Sequence, residues 1–325
     1  MFGFLLQRLI QAAIVVFAMS VIVFLGVYAI GNPIDVLIDP GATAEIRENL
    51  IRQYGLDQPL WRQYLTFVGN VAHGDLGTSM VYNIPVTDLV FSRLPATLEL
   101  VFVSVCIATF IGIPAGLYAG YRPDTVGAKA IMALSVLGFS VPTFWIGVLL
   151  IYTFSVYLGV LPAGGRGDTA GFLGVQWSFL TLDGWRHLLL PALNISFFTL
   201  SIMIRLARAG TRELMLTDTI KMARAMGLSE TTILRHHVLK LISIPIVTVF
   251  GLELATTVAF AVVTETIFSW PGIGKLIIDS IAMLDRPLIV AYLILVSFLF
   301  IMVNLTVDIL YTLLDPRLRR SEAGA

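Results

Sequence analysis

Only a few residues in this chain have the types and spacing that chemistry requires. Four carboxylates, Glu99, Glu253, Glu265 and Asp308, fall within or at the edge of long apolar runs. An ionised carboxylate in hydrocarbon costs at least about 2.5 kcal/mol, so each is expected to face protein or water. There it can meet a solute amine, a partner subunit or a travelling proton, or simply bond to helix termini and hydroxyls such as Thr264 and Thr266. Asp308 lies near the end of the chain, within reach of Arg317 or another basic tail residue. His236 and His237 are adjacent, so on a helix they point about 100° apart and do not form the i, i+4 pair that grips a metal ion. "GFSVP" around Ser140 lacks the second glycine of a nucleophile elbow, and no apolar run gathers His, Ser and carboxylate together. "PGIGKL" at Pro271 to Leu276 has glycine and lysine without the spacing or the hydroxyl residue of a phosphate-binding loop. Cys106 stands alone and forms neither an internal disulfide nor a cysteine-built metal site. No catalytic or metal-binding residue is assigned.

The elements that position these groups follow from composition. Of 325 residues, 57% are hydrophobic and 13% charged, more apolar than a soluble domain needs for its core. Basic and acidic residues balance at 21 each, so total charge does not suggest a nucleic-acid partner. A bilayer core about 30 Å thick needs roughly 20 apolar residues of helix. Six runs qualify or come close: Leu9 to Ile34, Leu100 to Tyr121, Ala130 to Gly165, Leu188 to Ile204, Leu241 to Phe268 and Pro287 to Leu314. Their lengths suit helices and not the alternating strands of an outer-membrane barrel, so the expected fold is an all-α polytopic membrane protein with six transmembrane helices. The first run is too long for a cleaved signal and reads as an anchor over residues 1–34. With the N-terminus inside, the inner segments hold 13 Lys and Arg, and the outer ones 8, of which 4 lie in one long stretch that counts little. Both termini are therefore expected in the cytoplasm, with a tail at 317–325. Pro142 and Pro245 are expected to kink or cap helices, and Gly112, Gly116 and Gly120 form a small-residue face for close helix packing.

Between the first two runs, residues 35–95 read as an extracytoplasmic helical segment. Thr43 is a plausible N-cap, Ile46, Leu50 and Ile51 share a face, and Gly55 is a stop. Behind Pro59, Trp61, Tyr64, Leu65 and Val68 recur at helical spacing. Seven acids against four bases between Asp35 and Arg93 make this segment negative. It serves either as a cap on the bundle or as a docking surface for an external partner.

Residues 96–316 then carry five runs and one long polar insert, 207–240. Within it Leu216, Ile220, Ala223 and Gly227 or Met226 recur every three to four residues, with Lys221 and Arg224 on another face. Gly227 suits the left-handed position just past a helix, with Leu228 next to pack back on Met222 or Ala223. Ser229 can cap a second helix that begins at Glu230, near its positive end. The insert is thus two short helices around a tight corner. It can lie on anionic lipid, or it can dock into a cytosolic motor, with Ala223, Ala225 and Gly227 admitting a partner close to the backbone. A nucleic-acid helix-turn-helix is disfavoured, because cytosolic loops are positive in any case.

The corner, "ARAMGLSE" from Ala223, resembles the cytosolic loop of permease subunits of ABC importers in the peptide, dipeptide and nickel class, of the oligopeptide and dipeptide permease B type. There the peptide-type loop reads "ARAKGLSE"; here Met226 replaces the lysine, and Lys221 and Met222 replace the first letters of the general "EAA" signature. "RLPATLEL" from Arg93, "PTFWIGVLLI" from Pro142, "ETIFSWPGIGKL" from Glu265 and "VNLTVDILYTLLDPRLR" from Val303 are similar to the same class, as are "YGLDQPL" from Tyr54 and "GDLGTS" from Gly74. The resemblance implies a type I importer permease fold in a prokaryotic inner membrane. It implies a homologous second permease, two ABC ATPase subunits that bind the ATP and Mg, and an extracytoplasmic solute-binding protein. Coupling to the ATPase then falls to Lys221, Ala223, Arg224, Ala225, Gly227, Leu228, Ser229 and Glu230, and the translocation path to Glu253, Glu265, Asp308 and Glu99. The transport implied is alternating access. An ion-driven carrier using Glu253 and Glu265 as relays, or an intramembrane hydrolase, stands as the alternative. Peptides, nickel complexes, glutathione-like molecules, opines and oligosaccharides all remain open as cargo.

Overall fold

The computed structural model describes residues 2–30, 43–53 and 55–314. Its helices are α1 (Phe2–Ile30), α2 (Ala44–Gln53), α3 (Leu60–Ala72), α4 (Val86–Tyr121), α5 (Val126–Ser140), α6 (Thr143–Leu150), α7 (Leu182–Met215), α8 (Asp218–Ala225), α9 (Glu230–Thr232), α10 (Leu239–Ile267), α11 (Ile273–Ala282) and α12 (Arg286–Leu314). Two strands, β1 (Ala170–Phe172) and β2 (Val175–Trp177), pair as an antiparallel hairpin before α7.

Among the described residues, three helices can cross a membrane by length and composition: α4, α7 and the Arg286–Thr306 part of α12. Two bent pairs raise this to five, Val126–Ser140 with Thr143–Tyr157 and Glu230–Ser243 with Pro245–Leu254. Six were expected. The remaining one coincides with α1, where Ala13–Gly26 is only a shorter apolar helix, and residues 31–34 lie outside the described ones.

The long third run is where the structure corrects the sequence most. Ala130 to Gly165 reads as one span with an exit loop, but the chain turns through 111° between Ser140 and Thr143. The cause is Pro142, which drives the residue before it out of the helical region. Val141 accordingly adopts φ −88°, ψ 131°, and α6 starts afresh behind the proline before passing into a π-helical turn, Ile151–Tyr157. Pro245 has a milder effect, lying within α10 at a bend of 54°.

Contacts divide the chain into two compact units, Met1–Pro95 with Pro271–Ile301, and Ala96–Trp270 with Met302–Ala325. In the first, α3 lies on α1. The hydroxyls of Ser20 and Tyr64 are 2.8 Å apart, and the Phe24 ring meets Tyr64 edge-on and Phe67 face-on. The inward face of α3 is therefore Tyr64 and Phe67, while Trp61 and Leu65, expected beside Tyr64, are exposed. Gly55 ends α2 as expected, at φ 63°. The distant segment 271–301 belongs here because Leu276, Leu288 and Ala291 close a core with Val86, Leu89 and Val90. Asp285, fully buried, accepts hydrogen bonds from the Ser79 hydroxyl and from the Met80 amide.

The second unit is built on α4 and α7. A Cβ added at Gly116 would stand 2.5 Å from the Ile204 carbonyl oxygen and 2.6 Å from the Ala207 Cβ. At Gly120 it would meet Thr211 at 2.7 Å. The small-residue face thus lets the two backbones touch inside this chain's own bundle.

Candidate functional site

The polar insert after α7 folds as its local sequence dictates. α8 starts behind Thr217, in extended conformation, and is closed by two reverse hydrogen bonds, Gly227 N to the Arg224 oxygen at 2.9 Å and Leu228 N to the Ala223 oxygen at 3.2 Å. This pair of bonds defines a Schellman corner, which needs a left-handed residue at its hinge. Gly227 supplies it at φ 81°. Ser229 caps α9, its hydroxyl accepting from Thr232 N. From there α9, a π-helical stretch Ile233–Val238 and α10 follow without a loop. The second leg of the corner is therefore the base of a membrane helix.

One face of the corner is sunk in the bundle. Ile220, Ala223 and Ile233, each no more than 1% exposed, join Met203, Ala207, Val238, Ile242 and Ile246 in one core. Ala223 thus differs from the expectation that its small side chain admits a partner. It is small because α8 must lie against the spans, and no partner can reach it without dislodging the helix. Ala225 and Gly227 remain exposed. The outward face carries Leu216, Met222 and Met226, each about two-thirds exposed or more, and Leu228. Periodicity alone puts Leu216 and Met226 on the buried face, but the turn at Gly227 and the helix end at Met215 rotate both outward.

Charge braces the corner. The Arg224 guanidinium donates to both carboxylate oxygens of Glu230, at 2.7 and 3.2 Å. This hydrogen-bonded partner holds the Glu230 carboxyl below its ordinary value, with a lesser contribution from Tyr121 at the end of α4, and raises Arg224. Lys221 pairs with Asp218 at 2.9 Å on the exposed side.

The four carboxylates part company. Glu99, buried, pairs with Arg166 at 2.7 Å and accepts from the Ser178 amide at 2.8 Å and the Ser178 hydroxyl at 3.0 Å. Arg166 also donates to the Gln176 oxygen, so one ion pair ties the β-hairpin to α4. Glu265, also buried, accepts from the Thr97 hydroxyl at 2.6 Å. Glu253 is half-buried on α10 and lines a cavity, with no side-chain partner among the described residues. The side chain of Asp308, and the whole of Arg317, lie outside the described residues. Arg166 was not singled out from the sequence, although an arginine between glycines in "GGRG" after an apolar run was a visible signal.

The profile of a family described as "Binding-protein-dependent transport system inner membrane component" matches residues 112–320, and its N-terminal companion matches residues 1–101. The chain belongs to this family. It is a membrane permease component of a binding-protein-dependent transport system. Curated relatives span its full length. The di/tripeptide transport system permease protein DppB of Pseudomonas aeruginosa is 39% identical over 98% of this chain and 99% of that one. The glutathione transport system permease protein GsiC of Escherichia coli O6:H1 is 37% identical over 98% and 99%. The dipeptide transport system permease protein DppB of Escherichia coli K12 is 34% identical over 99% and 100%. Among solved structures, a chain of the inward-facing MetNI methionine ABC transporter superposes with a TM-score of 0.53 over 70% of this permease and 97% of that chain, at 18% identity. The permease shares that fold.

Proposed function

We propose that this permease pairs with a homologous second permease to form the path of an ATP-driven importer, and that its α8–α9 corner docks on one of two ABC ATPase subunits. ATP and Mg are bound by those subunits and not by this chain. The observation that carries the reading is the corner itself, a Schellman turn rooted by Ile220, Ala223 and Ile233 in the spans while Met222, Ala225, Met226 and Leu228 face outward. A ridge so mounted transmits movement, because the buried face cannot slide without disturbing the core. Lys221, Arg224, Gly227, Ser229 and Glu230 hold the shape of that ridge, and Ala223 roots it. With 13 Lys and Arg on one side, the corner and both termini are cytoplasmic, and α1 completes six spans in a prokaryotic inner membrane.

The cargo we infer is a small peptide or peptide-like solute handed over by an extracytoplasmic binding protein. It is supported by full-length likeness to permeases named for di/tripeptides, dipeptides and glutathione. The negative segment 35–95 then docks that binding protein or caps the path.

Uptake of a labelled dipeptide by proteoliposomes holding the assembled transporter tests the reading. Import that requires ATP and the binding protein supports it. Uptake that survives ATP depletion but collapses with the ion gradient would replace it with a gradient-driven carrier, and peptide hydrolysis by the purified chain would point to an enzyme.

A further inference from the structure

The cavity on α10 is built of groups that do not satisfy one another. It measures about 550 Å³, within the range of small-molecule sites, roughly 300–1,000 Å³. Its walls come from the start of α6, the middle of α7 and α10. Phe144, Phe198 and Phe260 supply apolar surface, and five threonines line it together with Glu253. Among the described residues that line it, Glu253 is the only charged one, and none of them is cationic.

The threonines differ in what they can still do. Thr256 and Thr257 are spent, donating to backbone oxygens of their own helix at 3.1 and 2.6 Å. Thr264 accepts from the buried Asn194 amide at 2.9 Å. Thr143 and Thr199 make no side-chain hydrogen bond among the described residues, and neither does the Glu253 carboxylate. A carboxylate half withdrawn from water and left unpartnered is costly within a membrane bundle, and such a group marks a place where a counter-charge arrives.

We propose that this cavity is a solute subsite in which Glu253 receives the protonated amine of the cargo, the Thr143 and Thr199 hydroxyls meet its carbonyl or carboxylate oxygens, and the phenylalanines cover its apolar parts. The proposal deepens the import reading and rests on it. It separates Glu253 from Glu99 and Glu265, whose carboxylates are already bonded inside the protein. Attraction of a cation to a lone carboxylate in a low-dielectric cleft is strong.

The test uses the whole transporter in nanodiscs, with Cys106→Ala and a probe thiol introduced as Val263→Cys on the cavity wall. A trimethylammonium methanethiosulfonate should modify this thiol roughly tenfold faster than the sulfonate reagent of similar size. Glu253→Gln should erase the preference, and Glu253→Asp should restore most of it. Ala-Ala should slow the reaction while N-acetyl-Ala-Ala, which lacks the amine, should not. Equal rates for the two reagents, a preference that survives Glu253→Gln, or equal protection by both peptides would each overturn the proposal. So would a thiol that neither reagent reaches in the assembled complex, since lipid or the second permease then fills the cavity. If Glu253→Gln does not assemble, the reagent ratio and the peptide protection in the Glu253 protein decide alone. ATP-dependent uptake measured on the same preparation reports separately on the import reading: its loss with the labelling preference intact sinks that reading and not the subsite.

Discussion

Arg224 and Glu230, six positions apart, face each other across the turn, the guanidinium touching both carboxylate oxygens at 2.7 and 3.2 Å. The pair closes the mouth of the Schellman corner, so two helices that meet at a flexible glycine are held at one angle. Both side chains are 40% exposed, and an exposed pair contributes little to global stability. Its effect is local, on the shape of the ridge.

That effect depends on pH with a definite sign. The Glu230 carboxyl titrates below its ordinary value of 4.5, chiefly because of the hydrogen bond from Arg224. Since the folded value is the lower one, the contribution is complete above 4.5 and fades as pH falls through the folded value. The protection factors of the α8 amides, after correction for the intrinsic pH dependence of exchange, should therefore be steady from neutral pH down to the ordinary carboxylate range and fall below it. In Glu230→Gln the exchange should already be faster at neutral pH, with no such step.

Gly227 at φ 81° cannot be replaced freely. Alanine there costs roughly 1–2 kcal/mol of local strain, and proline, fixed near −65°, is excluded and also lacks the N–H that bonds Arg224. Gly227→Pro should leave membrane insertion and assembly intact, as measured by co-purification. Peptide uptake per ATP hydrolysed should drop roughly tenfold, the order of a typical coupling free energy. Unchanged coupling in this variant would remove the corner from the mechanism.

Gly116 and Gly26 form a matched control. A Cβ at Gly116 collides with Ile204 and Ala207, whereas at Gly26 nothing lies within 4 Å. Gly116→Ala should lower stability by about 1–3 kcal/mol through overpacking of α4 on α7. Gly26→Ala should be neutral or stabilise by up to about 1 kcal/mol through helix propensity. Thermal unfolding of the detergent-solubilised permease reads both.

Removing Arg166 strands Glu99, whose side chain is wholly buried. The cost of an unpaired buried charge is roughly 3 kcal/mol or more, so Arg166→Ala should expose the hairpin between α6 and α7 to limited proteolysis. Glu99→Gln retains one acceptor oxygen for Ser178 and leaves no buried charge, so it should be milder. Were Glu99→Gln to abolish uptake with stability unchanged, a place for Glu99 in the solute path would be the better account.

What was legible in the sequence was local. The corner at Gly227, the cap at Ser229 and the stop at Gly55 depend on the conformational limits of single residues, and each stands where those limits put it. Helix lengths follow from apolar runs, and the Gly112, Gly116 and Gly120 face from spacing alone. What was not legible required knowing which distant element lies alongside. The direction of Ala223, inward and not toward a partner, follows from Met203 and Ile242 on other helices. Glu99 and Arg166 are 67 residues apart and Thr97 and Glu265 are 168 apart, so neither bond leaves a trace in periodicity. Pro142 announced a break, but one residue type carries no angle, and the 111° of that break was not readable from it.

The corner and Glu253 share one uninterrupted helical rod, entered at Glu230 and jointed once, where Pro245 removes a rung of backbone bonding. A push on the ridge has no loop in which to dissipate. On the proposed coupling it would emerge above the joint as a tilt that swings the carboxylate together with the wall it stands on. Force and grip on the solute would then be two ends of a single crank, and how far the crank turns is set by how stiffly the proline holds.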